Sequence, residues 1–336
     1  MIVNIPSKLN IAQSLSFIDS IFSLPHDDEY IFDFRNLRWS EPFGLLAISY
    51  ELYRFSSKHS SSKLLIKNYE ANTYEGHMGF FKAFGLDHGK FPGQAPGSNT
   101  YIPIKINSVA ALQEKAVSSY EDVGVTIENC AREISNILVQ YQSGELKETL
   151  TYSIREIIRN VVEHSEADQF GYCAQYWPTK NIVEFSLLEK GIGIRKTLAR
   201  NPHLSISSDQ DALKLSLLPG VSGKAYNGKR GFNKGVWANS GFGLYMTSRI
   251  CGNGGSFFLI SGNSGILLNN RKRYYIKTIF QGTALRLRLN TNNIGALSQI
   301  LEKYRNEGYE IARRLGKEAL VSASTASQML SKDFSS

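Results

Sequence analysis

The chain has 336 residues, 42 % hydrophobic and 20 % charged, with a net charge of +8. This balance excludes a disordered or fibrous chain and leaves room for two domains. Cys130, Cys173 and Cys251 lie far apart, which argues against a disulfide scaffold or a cysteine metal site and fits a reducing, cytoplasmic setting.

No apolar stretch reaches the ~20 residues needed to cross a bilayer, and the first residues lack the basic-then-apolar pattern of a secretory leader. In chain order, Ile2 to Ile5 and Tyr30 to Phe34 read as strands bounded by polar turns. A helix is expected from Pro42 to about Ser56, with Leu45, Ile48, Leu52 and Phe55 at helical spacing. Lys63 to Lys67 reads as a third strand, Gly79 to Leu86 as a short apolar helix, and the Gly- and Pro-rich run from Asp87 to Asn99 closes this first unit.

Tyr101 to Ile106 is expected to be a strand bridging two units. Helices follow over Val125 to Tyr141 and Leu146 to Ser165, then strands over Gln169 to Trp177 and Ile182 to Leu188, joined as an antiparallel hairpin around Pro178 to Asn181. Residues 195–240 form a long segment with one clear helix, from its N-cap Ser208 to Leu218, stopped by Pro219-Gly220. Connections of that length are functional or disordered. A helix runs from the Gly241 turn to about Cys251, and strands are expected at Ser256 to Ile260, Tyr274 to Ile279 and Thr283 to Leu289. From Asn293 on, a helix with a polar tail is expected. No internal repeat is visible.

Three short patterns carry chemistry. In the helix around Glu156, Leu150, Ile154, Ile157, Ile158 and Val161 form the apolar stripe, while Glu156, Asn160 and Glu163 share the opposite sector. His164 reads as a capping or surface histidine. Gly191-Ile-Gly193 follows an apolar strand, and glycine there allows a tight turn and close approach of a ligand. Gly241-Phe242-Gly243-Leu244 opens a helix whose free N–H groups can hold phosphate. The stretch from Gly220 to Asn239 adds Lys224, Lys229, Arg230 and Lys234 without an acidic residue, a charge suited to phosphates. No nucleic-acid reader motif accompanies the positive charge.

Together these patterns resemble the GHKL ATPases, the family of gyrase, MutL, heat-shock chaperones, histidine kinases and anti-sigma-factor serine kinases. Glu156-x-x-x-Asn160 is similar to the N box, and Glu189-Lys-Gly191-Ile-Gly193 to the adenine box, with Glu189 standing where the family has Asp. Asn239-Ser-Gly241-Phe-Gly243-Leu244 is similar to the phosphate box, and Gln281-Gly282-Thr283 to the closing Gly-Thr strand. The resemblance covers residues 125–290 and implies a Bergerat-type α/β sandwich, a mixed sheet with helices on one face. It implies ATP and Mg²⁺ as cofactors, Asn160 as the metal ligand and Glu156 as the residue that orients and deprotonates the nucleophile. Glu189, Gly191, Gly193, Gly241, Phe242, Gly243, Leu244 and Thr283 would bind nucleotide. Residues 195–240 would be a lid from which Lys224 or another basic residue reaches the γ-phosphate.

Residues 1–106 resemble a STAS domain through Ile31-Phe-Asp-Phe-Arg-Asn-Leu37 and Trp39-Ser-Glu-Pro-Phe-Gly44-Leu45. Phe43 occupies the place of that family's phosphorylatable Ser or Thr, with Ser40 nearby, so a docking module is expected rather than a phosphorylation switch. Residues 107–124 would be a connector and 291–336 a C-terminal helix and polar tail. The resulting expectation is an ATP-gated switch signalling to a protein partner, which could be STAS-like or transcription-regulatory. A serine/threonine kinase of the anti-sigma-factor type and a non-catalytic nucleotide-binding module are the alternatives. Residues 90–150 hold no phosphoacceptor histidine, and the stretch after Asn290 is too short for a gyrase-type transducer domain. The family implies a homodimer; neither nucleic acid nor membrane is expected as a partner.

Overall fold

Alternation of side chains across strands explains the architecture. In the computed structural model, which describes residues 1–139, 141–142, 144–224, 241–270, 272–315 and 321–322, the chain opens with β1 (Ile2–Asn4), β2 (Lys8–Leu9), α1 (Ile11–Phe22), β3 (Glu29–Asp33), β4 (Trp39–Ser40), α2 (Pro42–Lys58) and β5 (Lys63–Lys67). Short helices α3 (Thr73–His77) and α4 (Phe80–Ala83) precede β6 (Tyr101–Ser108), α5 (Val109–Ser118), α6 (Val123–Leu138) and α7 (Gly144–Asn160). Then come β7 (Gln169–Trp177), β8 (Ile182–Glu189), α8 (Gly193–Leu198), β9 (Leu204–Ser205), α9 (Asp209–Ser216) and α10 (Gly243–Cys251). β10 (Ser256–Ser261), β11 (Ser264–Asn269), β12 (Lys272–Lys277), β13 (Thr283–Asn290), α11 (Leu297–Leu315) and β14 (Val321–Ser322) follow.

The protein is of mixed α/β construction. β1, β3 and β5 form a parallel three-stranded sheet, and seven strands form the main sheet in the order β12-β11-β10-β13-β8-β7-β6. Every pairing in that main sheet is antiparallel. The expected mixed sheet is therefore corrected: hairpins join β7 to β8 and β10 through β12, and β13 returns between β8 and β10 against both.

The expected single helical face is corrected too. Odd-numbered residues of the central strands, such as Phe185, Leu187, Phe257, Leu259, Leu285 and Leu287, pack under α5, α6, α7 and α10. Even-numbered ones, such as Leu188, Phe258, Ile260 and Ala284, join the core of the amino-terminal unit with Phe43, Leu46 and Phe55 of α2. The sheet is thus buried on both faces, and β10 is buried at every position.

Further differences are local. Tyr101–Ser108 is the edge strand of the main sheet, paired with β7, so that sheet begins inside the segment assigned to the first unit. The expected connector, residues 107–124, carries the end of β6 and helix α5. Helix α1 was not expected, although Asn10 caps it by accepting the Gln13 N–H at 3.0 Å. β11 was missed, and the strand expected at 274–279 lies at 272–277. Among the described residues no helix is long and apolar enough to cross a membrane.

Candidate functional site

Helix α7 buries Leu150, Ile154, Ile157 and Ile158 and keeps Glu156 and Asn160 off that stripe. It ends in a single π turn, Val161–Ser165, a wider winding that recurs at functional sites. Asn160, Val161, His164 and Ser165 thereby form one wall of a pocket with about 880 Å³ of empty space, counting the solvent at its mouth. The floor is made by odd-numbered strand residues: Leu187 and Glu189 of β8, Thr283 and Leu285 of β13, and Leu259 of β10. Gly193, Ile194, Thr197 and Leu198 close a third side, and Val221 to Gly223 with Gly241, Gly243 and Leu244 complete the enclosure.

Polar groups gather at the two ends. At one end Glu189, Thr283 and Ser261 are cross-strand neighbours. The Glu189 carboxylate accepts the Gly191 N–H and the Thr283 hydroxyl. Ser261 Oγ lies 3.1 Å from Thr283 Oγ1 and accepts the Ile194 N–H at 3.0 Å. Burial raises the Glu189 pKa above the ordinary carboxylate value, opposed by its bonds to Thr283 and Gly191. An ionised carboxylate here accepts hydrogen bonds from a ligand and donates none.

At the other end Asn160 lines the pocket, and its Nδ2 is buried with no hydrogen-bond partner among the described residues. A buried unpaired amide is rare enough to call for a ligand or water. Helix α10 begins here without a side-chain cap on its first amides, so the dipole and free N–H groups favour an anion. Gly241 has φ +70°, a left-handed turn.

The other expected site residues are placed as follows. Glu156 is not part of the pocket wall: Arg155 Nη2 donates to its Oε1 at 2.8 Å, and its Oε2 lies where a Cβ on Gly243 would come within 2.5 Å. Gly191 also stands outside the wall. Its glycine is demanded by the chain itself, since a Cβ would clash with the Ser165 carbonyl, to which the Ile192 N–H is bonded at 2.8 Å. Phe242 is absent from the pocket wall: its ring turns to Tyr309 (5.3 Å) and Tyr245 (6.2 Å), where α11 packs. The Lys224 ammonium donates to the Glu163 carbonyl at the end of α7, away from the pocket wall. Lys229, Arg230, Lys234 and Asn239 lie outside the described residues.

His164, expected as a surface or capping residue, lines the pocket, and its carbonyl accepts the Thr197 hydroxyl at 3.1 Å. Leu187, Leu285 and Leu259 were missed, although strand parity with Glu189, Thr283 and Ser261 puts them on the same face. Ser40 is buried and donates to Glu75 Oε1 at 2.6 Å, and Phe43 is buried edge-on against Phe258 at 5.1 Å. No cluster of three or more His, Cys, Asp or Glu able to hold a metal occurs among the described residues. A scan of protein-family models gives no match to this chain, and no curated protein matches it.

Proposed function

We propose that this pocket binds Mg-ATP and that the chain is a GHKL-type, ATP-gated regulatory switch acting on a protein partner. The observation that carries the reading is the convergence of Asn160, Glu189, Gly193, Gly241, Gly243, Leu244 and Thr283 around one mostly apolar cavity. Their places suit a nucleotide laid lengthwise. Leu187, Leu259 and Leu285 offer a flat apolar floor for a base, and the Glu189 carboxylate beside Thr283 would accept from an exocyclic amine. At the far end the α10 amides and the Gly241 turn would take phosphate oxygens.

Asn160 would hold magnesium through its amide oxygen, and the ion, once bound, neutralises phosphate charge; one hard oxygen donor plus phosphates suits Mg²⁺ better than a protein cage. The unpaired Nδ2 of Asn160 is a donor and would suit a phosphate oxygen beside the ion. Glu156 would orient a water and take its proton from the Gly243 side, with Arg155 fixing the other carboxylate oxygen. Residues 195–224, of which Val221 to Gly223 line the pocket, would belong to a lid over the nucleotide, whose remainder, 225–240, lies outside the described residues.

A second reading, nucleotide sensing without turnover, is favoured by the position of Glu156 outside the pocket wall and its pairing to Arg155. Release of the γ-phosphate from Mg-ATP separates the two. Wild type should turn over, and Glu156→Ala and Asn160→Ala should each fall by about 100-fold or more. Saturable ATP binding without release points to sensing or to a kinase awaiting a STAS-like substrate, which labelled ATP plus that partner would reveal. A wild type that binds no ATP ends the reading.

A further inference from the structure

Helix α2 runs across the back of the main sheet, and its second half touches the turns that lead from Glu189 and into Thr283. Its first turn is tied down by the Phe43 N–H, which donates to Glu184 Oε1 at 3.1 Å. Farther along, Glu51 is fully buried, and its Oε1 has no hydrogen-bond partner among the described residues. Arg54 Nε lies 2.5 Å from its Oε2, and the Lys190 ammonium is close enough to attract it. Lys190 Nζ also sits 4.5 Å from the Tyr50 ring centre and 5.0 Å from that of Tyr53. Arg54 Nη2 donates to the Ile279 carbonyl at 3.3 Å, and Phe280 packs edge-on against Tyr50 at 6.0 Å.

Those contacts grip two turns. One holds Lys190 between Glu189 and Gly191; the other, 279–282, leads into Thr283. Gly282 is pressed so closely on the Glu189 carbonyl that a Cβ would clash. The Glu189–Thr283 pair at the base end of the pocket is therefore suspended from α2 by a single layer of side chains.

We propose that Glu51 is a positioning residue for the base end of the pocket, and that through it the amino-terminal unit and the nucleotide set each other's state. This rests on the nucleotide reading above and adds the route by which a partner on the amino-terminal unit would change affinity. A carboxylate whose Arg partner touched only α2 would stabilise α2 and nothing else. Arg54, which Glu51 orients, instead bonds the Ile279 carbonyl of one turn, and the Lys190 ammonium of the other is attracted to Glu51 while it lies over Tyr50 and Tyr53, so α2 and both pocket turns share the carboxylate. A buried carboxyl–guanidinium pair keeps its geometry strictly, because removing the carboxyl strands the Arg54 guanidinium. Any shift of α2 must then carry the turns, and any pull on Glu189 or Thr283 by a ligand must reach α2. Such coupling is reciprocal.

Calorimetric titration with ADP and with Mg-ATP tests this on wild type, Glu51→Ala and Glu51→Gln, with near-ultraviolet circular dichroism as the check of folding. Glu51→Ala should bind about 10-fold or more weakly, and Glu51→Gln, which still offers an amide oxygen to Arg54, within about 3-fold of wild type. Hydrogen exchange on the wild-type chain needs no variant: nucleotide should slow exchange in 49–54 together with 281–283. A folded Glu51→Ala that binds like wild type, or unchanged exchange in 49–54 at saturation, overturns the proposal while leaving the nucleotide reading intact. Absence of any nucleotide binding by wild type overturns both.

Discussion

Glu189 and Gly191 define what one residue can do at this site. The glutamate's extra methylene lets the carboxylate curl back onto the Gly191 N–H while keeping Thr283. Gly191 in turn has no room for a side chain against Ser165. Gly191→Ala should therefore destabilise the chain by about 1–3 kcal/mol or more through overpacking, read as a lowered urea midpoint at unchanged slope; an unchanged midpoint would show that the turn yields freely. Glu51 gives a pH signature. Burial, opposed by Arg54, the Gln281 amide and Lys190, pushes its carboxyl up to about 7, and Tyr50 beside it is raised to about 12. The folded chain then holds a proton that the unfolded chain has lost between the ordinary value of 4.5 and about 7. Glu51 thus contributes stability that is full below 4.5 and lost as pH rises through about 7, on the order of 3 kcal/mol. The unfolding free energy of wild type minus that of Glu51→Gln should fall across this window, and a flat difference would refute the assignment. The polar sector of α7 and the glycine turns were legible in the sequence because spacing alone sets them. The outward turn of Phe242 was not, because it depends on α11, more than fifty residues away.

Elements that bury both faces disguise their own pattern. β8, β10 and β13 were recognised as strands, but Glu184, Ser186, Arg286 and Arg288 at even positions read as a solvated face, and only the packing of α2 shows that face to be covered. β11 follows β10 after only the two-residue Gly262-Asn263 turn, a hairpin connection, and Gly265 near its start weakens its strand pattern in the sequence. A polar cluster on the back face shows how the layers are matched. Glu184, fully buried, accepts from Phe43 N–H, from Ser186 Oγ at 3.3 Å and from Arg288 Nε at 2.5 Å. Arg288 also meets Glu41 at 2.7 Å, and Arg286 lies 3.8 Å from Glu41 and donates to Ser256 Oγ at 2.8 Å. This network fixes the start of α2 over β8 and β13. Glu184→Ala should cost about 3–5 kcal/mol, since it leaves buried guanidinium charge under-compensated, and chemical denaturation measures it. A loss below ~1 kcal/mol would mean that water reaches the cluster.

At the scale of the whole molecule, the amino-terminal unit behaves as the back layer of the main sheet rather than as a separate module. Its helix α2 covers Leu188, Phe258, Ile260 and Ala284, each worth ~1.5–3 kcal/mol if kept from water, less for the alanine. Removing that cover would also bare the Glu184–Arg288 network and release the grip of Glu51 on the pocket turns. With a domain's net stability only ~5–15 kcal/mol, the sheet cannot lose this layer and stand. The intact chain is therefore expected to unfold in one calorimetric transition whose van't Hoff and calorimetric enthalpies agree. A fragment spanning 98–336 should be unfolded or aggregated, and co-expression with 1–97 should recover soluble, assembled protein. Two separate transitions, or a folded fragment that still binds nucleotide, would show that the layers are independent and that α2 only rests on the sheet. The first result would make partner binding at the amino-terminal unit and events in the pocket two faces of one cooperative structure, the arrangement a ligand-gated switch requires.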